Sequence, residues 1–320
     1  MASTVVFING GTGFIGRALC SALLKLSCHQ SPFGNNPSFT ETPAQQHYQL
    51  YVQTRMPSHH RHRQITFLSS YRDLPDGCVP NIVVNLAGAP IAEKRWTQRQ
   101  KKVLLDSRIR LTENLLKAVK SKGHKPNVLL NASAIGYYGV RGEEVLTEIS
   151  DKGEGFASEL CDQWESSAER FSALGSRICI FRIGVVLGPG GGAVSKLLPI
   201  FNMALGGPIA GGQQWFSWIH ICDLVRMFIA AMHDPSFRGV FNATAPNPVR
   251  QIDFARALGG ALNRPTFLPT PALALKLLYG QMADELLIGG QHVLPVCAQK
   301  IGFPFQHPLL PSALADVTQR

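Results

Sequence analysis

Val5-Val6-Phe7-Ile8-Asn9-Gly10-Gly11-Thr12-Gly13-Phe14-Ile15-Gly16 is the stretch that decides the fold of this chain. Four apolar residues run into a cluster of glycines. Beyond it, Ile15, Ala18, Leu19, Ala22, Leu23 and Leu26 recur at helical spacing. The reading is strand, glycine turn, helix. The turn satisfies both GxxGxxG (Gly10, Gly13, Gly16) and GxGxxG (Gly11, Gly13, Gly16). Glycines allow the tight turn and let backbone approach a pyrophosphate, while the helix N-terminus turns free N–H groups and a positive dipole end toward it. Gly10, Thr12, Gly13, Phe14, Ile15 and Gly16 are therefore candidate contacts to a dinucleotide.

Outward from that turn, strands alternate with amphipathic helices. Tyr48–Gln53, Ile65–Leu68, Ile82–Leu86, Val128–Ala132 and Arg177–Phe181 read as strands, and 97–121 and 156–174 as helices. Alternation of this kind predicts an α/β fold: a Rossmann-type doubly wound parallel sheet, followed by a small, mostly helical C-terminal substrate region. The expected division is an NADP-binding domain over 1–185 and a substrate region over 186–320, with 217–250 returning to the first domain through a strand at Val240–Ala243. Glycine and proline punctuate the second half, as at Gly188–Gly192 and Gly206–Pro208, which suits substrate loops. Residues 28–47 are polar, carry three prolines and read as a surface insertion.

In such a fold the end of the second strand reads the adenosine ribose. An acid there hydrogen-bonds the 2′-hydroxyl of NAD, and an arginine accommodates the 2′-phosphate of NADP. With the 20 residues of 28–47 set aside, Arg55 stands 19 positions past Gly16, against the ~20 expected. Thr54 and Arg55 offer a hydroxyl and a guanidinium fork, and no acid is present. The expected cofactor is NADP(H). The later members of the run, His59 to Arg63, read as a solvated basic face, and no metal site is assigned.

Composition narrows the class. The chain has 320 residues, 45% hydrophobic and 16% charged, which excludes general disorder. No run approaches the ~18 apolar residues of a membrane span, so no membrane partner is expected, and the start leads directly into a strand without a secretory leader. Seven scattered cysteines without a CxxC pair suit a reducing, cytoplasmic setting. The net charge of +10 favours anionic ligands. Nucleic acid fits poorly as a partner, because no helix-turn-helix, RRM or zinc-finger signature accompanies the basic stretch Lys94 to Arg110. Oligomeric state is not encoded in any pattern visible here.

The chain resembles the extended, epimerase-like short-chain dehydrogenase/reductases, and more closely an atypical sugar-epimerase-like branch labelled cell-division-inhibitor homologues. Gly10–Gly16 matches the superfamily turn, and Asn85-Leu86-Ala87-Gly88 the NxAG segment whose backbone lies along the cofactor. Arg182 to Gly190, with Val186 inside it, matches the segment passing the nicotinamide; Trp218-Ile219-His220 with Asp223-Leu224 matches a WIHxxDL element. Leu278–Met282, Gln291–Pro295 and Gly302-Phe303 look like the small C-terminal domain of the branch.

The resemblance implies a Ser or Thr after the fifth strand and a Tyr-xxx-Lys pair on the next helix. Ser133 matches the serine, but Phe156 to Glu165 holds neither tyrosine nor lysine. Tyr137 and Tyr138, just past Ser133, are the candidate proton carriers. Glu165 is either a proton acceptor or the partner of a surface arginine. Arg108 falls where relatives carry an active-site asparagine, and is suited to an anionic ligand or cofactor group. His220 reads as a structural hydrogen-bonder, and Trp96, Trp215, Phe216 and Trp218 as either pocket roof or core. The expected function is an NADP(H)-binding oxidoreductase or epimerase acting on a carbonyl or sugar-like small molecule, anionic ones included. The alternative is a catalytically weak NADP(H)-dependent regulator.

Overall fold

The computed structural model describes residues 3–27 and 47–318. The insertion expected at 28–47 lies, apart from His47, outside the described residues. Seven strands form one parallel sheet: β1 (Thr4–Asn9), β2 (Tyr48–Gln53), β3 (Ile65–Leu68), β4 (Ile82–Asn85), β5 (Val128–Ala134), β6 (Arg177–Ile183) and β7 (Gly239–Ala243). Their order is β7-β6-β5-β4-β1-β2-β3, so the chain winds one way from β1 and then the other. This is the doubly wound Rossmann arrangement. It leaves a crevice beyond the carboxyl ends of β1 and β4, where the winding reverses.

The strands are apolar on both faces because helices cover both. In β1, Val6 and Ile8 face a core shared with helix α1 (Phe14–Ser27), while Phe7 faces Tyr71, Leu115, Leu116 and Val119 on the opposite side. The expected helix over 97–121 is three pieces: α2 (Gln98–Leu105), a π-turn at Asp106–Arg110, and α3 (Leu111–Ser121). A π-turn rotates the side chains after it relative to those before, and such turns recur at functional sites. Helix α4 (Phe156–Glu169) continues as a 3₁₀ turn over Arg170–Leu174. Its first N–H groups, on Phe156 and Ala157, are capped by the Glu285 carboxylate at 3.1 and 2.8 Å.

The second half packs a separate core. Helices α5 (Gly192–Asn202), α6 (Ile221–His233), α7 (Gln251–Ala261), α8 (Ala272–Tyr279) and α9 (Leu310–Thr318) follow in order. Phe201, Trp218, Phe254, Leu258 and Leu314 gather α5, α7 and α9 into one cluster, whereas α6 lies against α1 and the main sheet. No helix among the described residues is long and apolar enough to cross a membrane.

Three buried asparagines stand in register on adjacent strands, Asn9 and Asn85 at the ends of β1 and β4 and Asn131 within β5, with Asn9 opposite Asn85 and Asn85 opposite Asn131. Asn9 Nδ2 donates to Asn85 Oδ1 at 3.1 Å, and Asn85 Nδ2 donates to Asn131 Oδ1 at 2.7 Å and to Thr112 Oγ1 at 2.8 Å. Thr112 Oγ1 in turn donates to the Arg108 carbonyl at 2.6 Å, which ties the π-turn to the strand ends. Asn85→Ala would orphan several of these groups. The expected loss is roughly 2–3 kcal/mol in urea unfolding, from buried polar atoms left unpaired; a loss below about 0.5 kcal/mol would show that the ladder does not hold the strand ends.

Candidate active site

The glycine turn is set by close backbone approaches. Gly10 has φ of +84°, and a Cβ there would lie 2.9 Å from Ala87 N. A Cβ on Gly11 would meet the Val52 side chain at 2.8 Å, and one on Gly16 would lie 2.4 Å from the Gly10 carbonyl oxygen. The turn is thereby pressed onto the loop after β4 and the end of β2. The aromatic ring of Phe14, which opens α1, fills the space above Gly188 to Gly192: a Cβ on Gly191 would stand 2.2 Å from its Cδ2. Gly13 is different, because a Cβ there would touch only the Gly10 oxygen, at 3.3 Å. Turn, first turn of α1 and the loop after β6 thus converge on one crevice. The residues present suit a pyrophosphate: backbone held close and free N–H groups at the start of α1.

At the end of β2, the Thr54 N–H donates to Leu68. Arg55 is exposed, with no side-chain hydrogen bond or ion pair among the described residues. Beside Gly11 and Thr12 opens a cleft of about 480 Å³, lined in part by Arg17, Lys25, His60 and His62. After β4, Leu86 and Ala87 are half-buried and Gly88 is exposed. The Arg108 guanidinium lies flat on Gly88, where a Cβ would be 2.8 Å from Cζ, and its Nη2 donates to the Ala89 carbonyl at 3.0 Å. Its Cζ is 5.2 Å from the Trp164 ring centroid. Burial draws the Arg108 pKa below the ordinary arginine range. Val186 is half-buried in the short strand Val185–Leu187, which pairs with Trp218–His220.

Ser133 is the penultimate residue of β5 and is buried. Its Oγ donates to Glu165 Oε1 at 2.5 Å. Glu165 is also buried, so the expected pairing with a surface arginine is corrected: its partner is Arg182 of β6, itself buried, which donates from Nε at 3.0 Å and Nη2 at 2.8 Å. Arg182 Nη1 donates to the Tyr138 hydroxyl at 3.0 Å, and that hydroxyl donates to Asn242 Oδ1 at 2.7 Å. Tyr138 is fully buried, and burial pushes its hydroxyl up to about 12. Tyr138 is therefore sealed into the network rather than open to a substrate. Tyr137 is half-buried and stacks on Arg182, with Cζ 3.3 Å from its ring centroid.

One member of this cluster, Cys161, escapes a reading by residue type. Cys161 and Glu165 lie four apart on α4, the spacing of Tyr-xxx-Lys, so one helix face presents both toward Ser133. Burial, reinforced by the Glu165 charge, pushes the Cys161 thiol up to about 11. For Arg182, burial opposes the charge, but Glu165 and Tyr138 outweigh it and hold the guanidinium above its ordinary range.

His220 Nδ1 accepts the Cys222 N–H at 3.2 Å and caps α6. Nε2 stands 3.1 Å from Asp316 Oδ2, beside His307. A metal at Nε2 would need that nitrogen bare while its sister accepts an N–H, which a neutral imidazole cannot provide. Trp96 packs on Phe156, Phe216 stacks on Phe254, Trp218 is fully buried, and Trp215 stacks on His292.

A family model described as "NAD dependent epimerase/dehydratase family" matches residues 6–243. The chain belongs to this family. Residues 270–317 match a second model, a domain of unknown function. The chain is 39% identical to "Epimerase family protein SDR39U1 homolog, chloroplastic" of Arabidopsis thaliana over 98% of its own length and 86% of that protein's. It is 36% identical to an epimerase family protein of Mycobacterium bovis, covering 100% of this chain and 99% of that one. Among solved structures, the human epimerase family protein SDR39U1 with NADPH superposes with a TM-score of 0.83 at 30% identity, covering 98% and 99% of the two chains. The fold is shared more widely: UDP-glucuronic acid 4-epimerase from Bacillus cereus, with NAD, gives 0.72 at 16% identity, covering 98% and 94%.

Glu165→Ala would strand Arg182 in the interior. Unfolding free energy should fall by about 3–5 kcal/mol, and Tyr138→Phe, which leaves the ion pair intact, by only about 1 kcal/mol; equal losses would contradict a network centred on Glu165–Arg182. Burial draws the His220 pKa down to about 4, with His307 adding and Asp316 opposing. The unfolded chain therefore takes up this proton first, and stability should fall as pH drops from about 6.5 toward 4. His220→Asn, which keeps a helix cap, should flatten that slope; identical slopes would disprove the assignment.

Proposed function

We propose that the chain is an NADP(H)-dependent short-chain dehydrogenase/reductase acting on a carbonyl or sugar-like small molecule. The observation that carries this reading is the glycine turn held open toward the start of α1, with Arg55 and no acid at the end of β2. Similarity to the human protein solved with NADPH supports it. In this reading residues 1–185, with 217–250, hold the dinucleotide and 186–320 supply the substrate region. The backbone of Gly10, Gly13 and Gly16, with Thr12, Phe14 and Ile15, cradles the pyrophosphate. Thr54 and Arg55 take the 2′-phosphate. Leu86, Ala87, Gly88 and Val186 flank the rest of the dinucleotide. When bound, the nicotinamide supplies the hydride chemistry.

The protein's own groups then set the polarity of the site. Ser133 has a single proton and gives it to Glu165, whose charge is held by Arg182. Its oxygen accordingly offers lone pairs, which suit the hydroxyl of a substrate more than a bare carbonyl. Tyr137, less buried than Tyr138, is the proton carrier of this reading. Arg108 supplies a fixed cation for an anionic substrate group.

One observation favours a second reading, a cofactor-dependent regulator with little turnover. Where the superfamily carries tyrosine and lysine, this chain has a buried thiol and a carboxylate locked in an ion pair. In that case partner binding, rather than turnover, responds to NADP(H).

Fluorescence titration with NADPH and NADH tests the assignment of the cofactor. The chain should prefer NADPH by about 10–100-fold, the worth of a charge-assisted phosphate contact. Arg55→Ala should bring the two affinities together by weakening NADPH alone. A preference that survives the substitution would refute the role of Arg55, and no binding of either dinucleotide would refute the reading as a whole.

A further inference from the structure

Helix α8 stands out from the rest of the structure. Of its eight residues only Leu275 is buried. Leu273, Leu277 and Leu278 are 68%, 69% and 64% exposed, and Phe267, just before the helix, is 75% exposed. Leu273 and Leu277, one turn apart, thus lie on the same exposed side of the helix, with Leu278 beside them and Leu275 turned inward. Ala210 N–H donates to the Thr270 carbonyl at 3.0 Å, and Thr270 N–H to the Pro208 carbonyl at 2.8 Å. This pairing brings the segment holding Met203 and Leu205, both exposed, alongside the start of α8. Contiguous exposed apolar surface of this kind marks an interaction site.

The C-terminal end of α8 is bordered by positive charge. Arg95 Nη1 donates to the Leu277 carbonyl at 2.9 Å, and Lys101 Nζ to Gln281 Oε1 at 2.6 Å. Lys94, Arg95, Arg99 and Lys102 are all exposed on that segment. The acids nearby are Glu93, exposed, Asp284, paired with Lys276 at 2.9 Å, and Glu285, whose carboxylate accepts from Gln281 Nε2 and from the Phe156 and Ala157 N–H groups. The whole chain carries +10.

We propose that the apolar face of α8 and its basic border dock the protein on an anionic lipid surface. Charge selects this occupant. A second copy packed symmetrically would bring the 94–102 segment toward its own image, like charge against like. An apolar helix face bordered by lysine and arginine is the pattern of a helix lying in an anionic interface. The expectation that no membrane is a partner rested on the lack of a spanning run, and a helix lying at the interface needs none. This inference is independent of the redox reading and goes beyond it.

The test is sedimentation of the full chain with vesicles of phosphatidylcholine alone or mixed with phosphatidylglycerol. Binding should rise at least about tenfold with the anionic lipid and fall at high salt. Leu273→Glu with Leu277→Glu should abolish it, while NADPH affinity and melting temperature stay unchanged. Lys94→Glu with Arg99→Glu should weaken it without affecting either control. No sedimentation with anionic vesicles would overturn the proposal. So would sedimentation insensitive to the leucine substitutions, which would mean charge attraction alone, or a dimer that those substitutions dissociate, which would assign the face to a second copy.

Discussion

The first turn of α1 forms only because Gly16 carries no side chain: the Gly10 carbonyl oxygen occupies the space 2.4 Å from where a Cβ would be. That contact holds the glycine turn against the helix it starts. Gly10 then packs on Ala87, and Gly191 receives the Phe14 ring. Three loops, after β1, β4 and β6, are thereby fixed to one another at the carboxyl end of the sheet. The buried asparagine ladder beneath them keeps the strand ends level. A crevice at a topological switch point is a property of the winding, but its width here is set by these glycine contacts.

Deeper in the sheet, on the helix face where the resemblance implies tyrosine and lysine, a buried carboxylate pairs with a guanidinium from β6. Desolvating such a pair is costly, and it persists only when the remaining lone pairs and protons find partners. Ser133 and Tyr138 supply them, and Asn242 extends the network to β7. The same hydrogen bonds that stabilise the pair decide what Ser133 can offer a ligand. Architecture and chemistry at this site are therefore coupled through one proton.

The fold was legible because strand composition and helical spacing are local. Every strand of the main sheet falls within three residues of its sequence-derived span, as at Val128–Ala132 against Val128–Ala134. The π-turn at Asp106–Arg110 was not legible, since it depends on Thr112 bonding back to Arg108 and forward to Asn85. The pairing of Glu165 with a surface arginine fails because its partner lies not on the helix surface but on β6, 17 residues away. Helical spacing alone, applied to Cys161 and Glu165 without regard to residue type, points to the right face. Asn85 is marked by the NxAG motif, but its bonding to Asn9 and Asn131 depends on strand register and leaves no local signal. Exposure of α8 has no local signal either, because it depends on which elements pack beside Leu273, Leu277 and Leu278.

A crystal structure of the protein grown with NADPH tests the central claim most directly. The account places the pyrophosphate on the N–H groups between Thr12 and Gly16, with the adenosine 2′-phosphate within hydrogen-bond reach of Arg55. A dinucleotide seated elsewhere, or a turn closed over by the protein's own side chains in the presence of saturating NADPH, would contradict it.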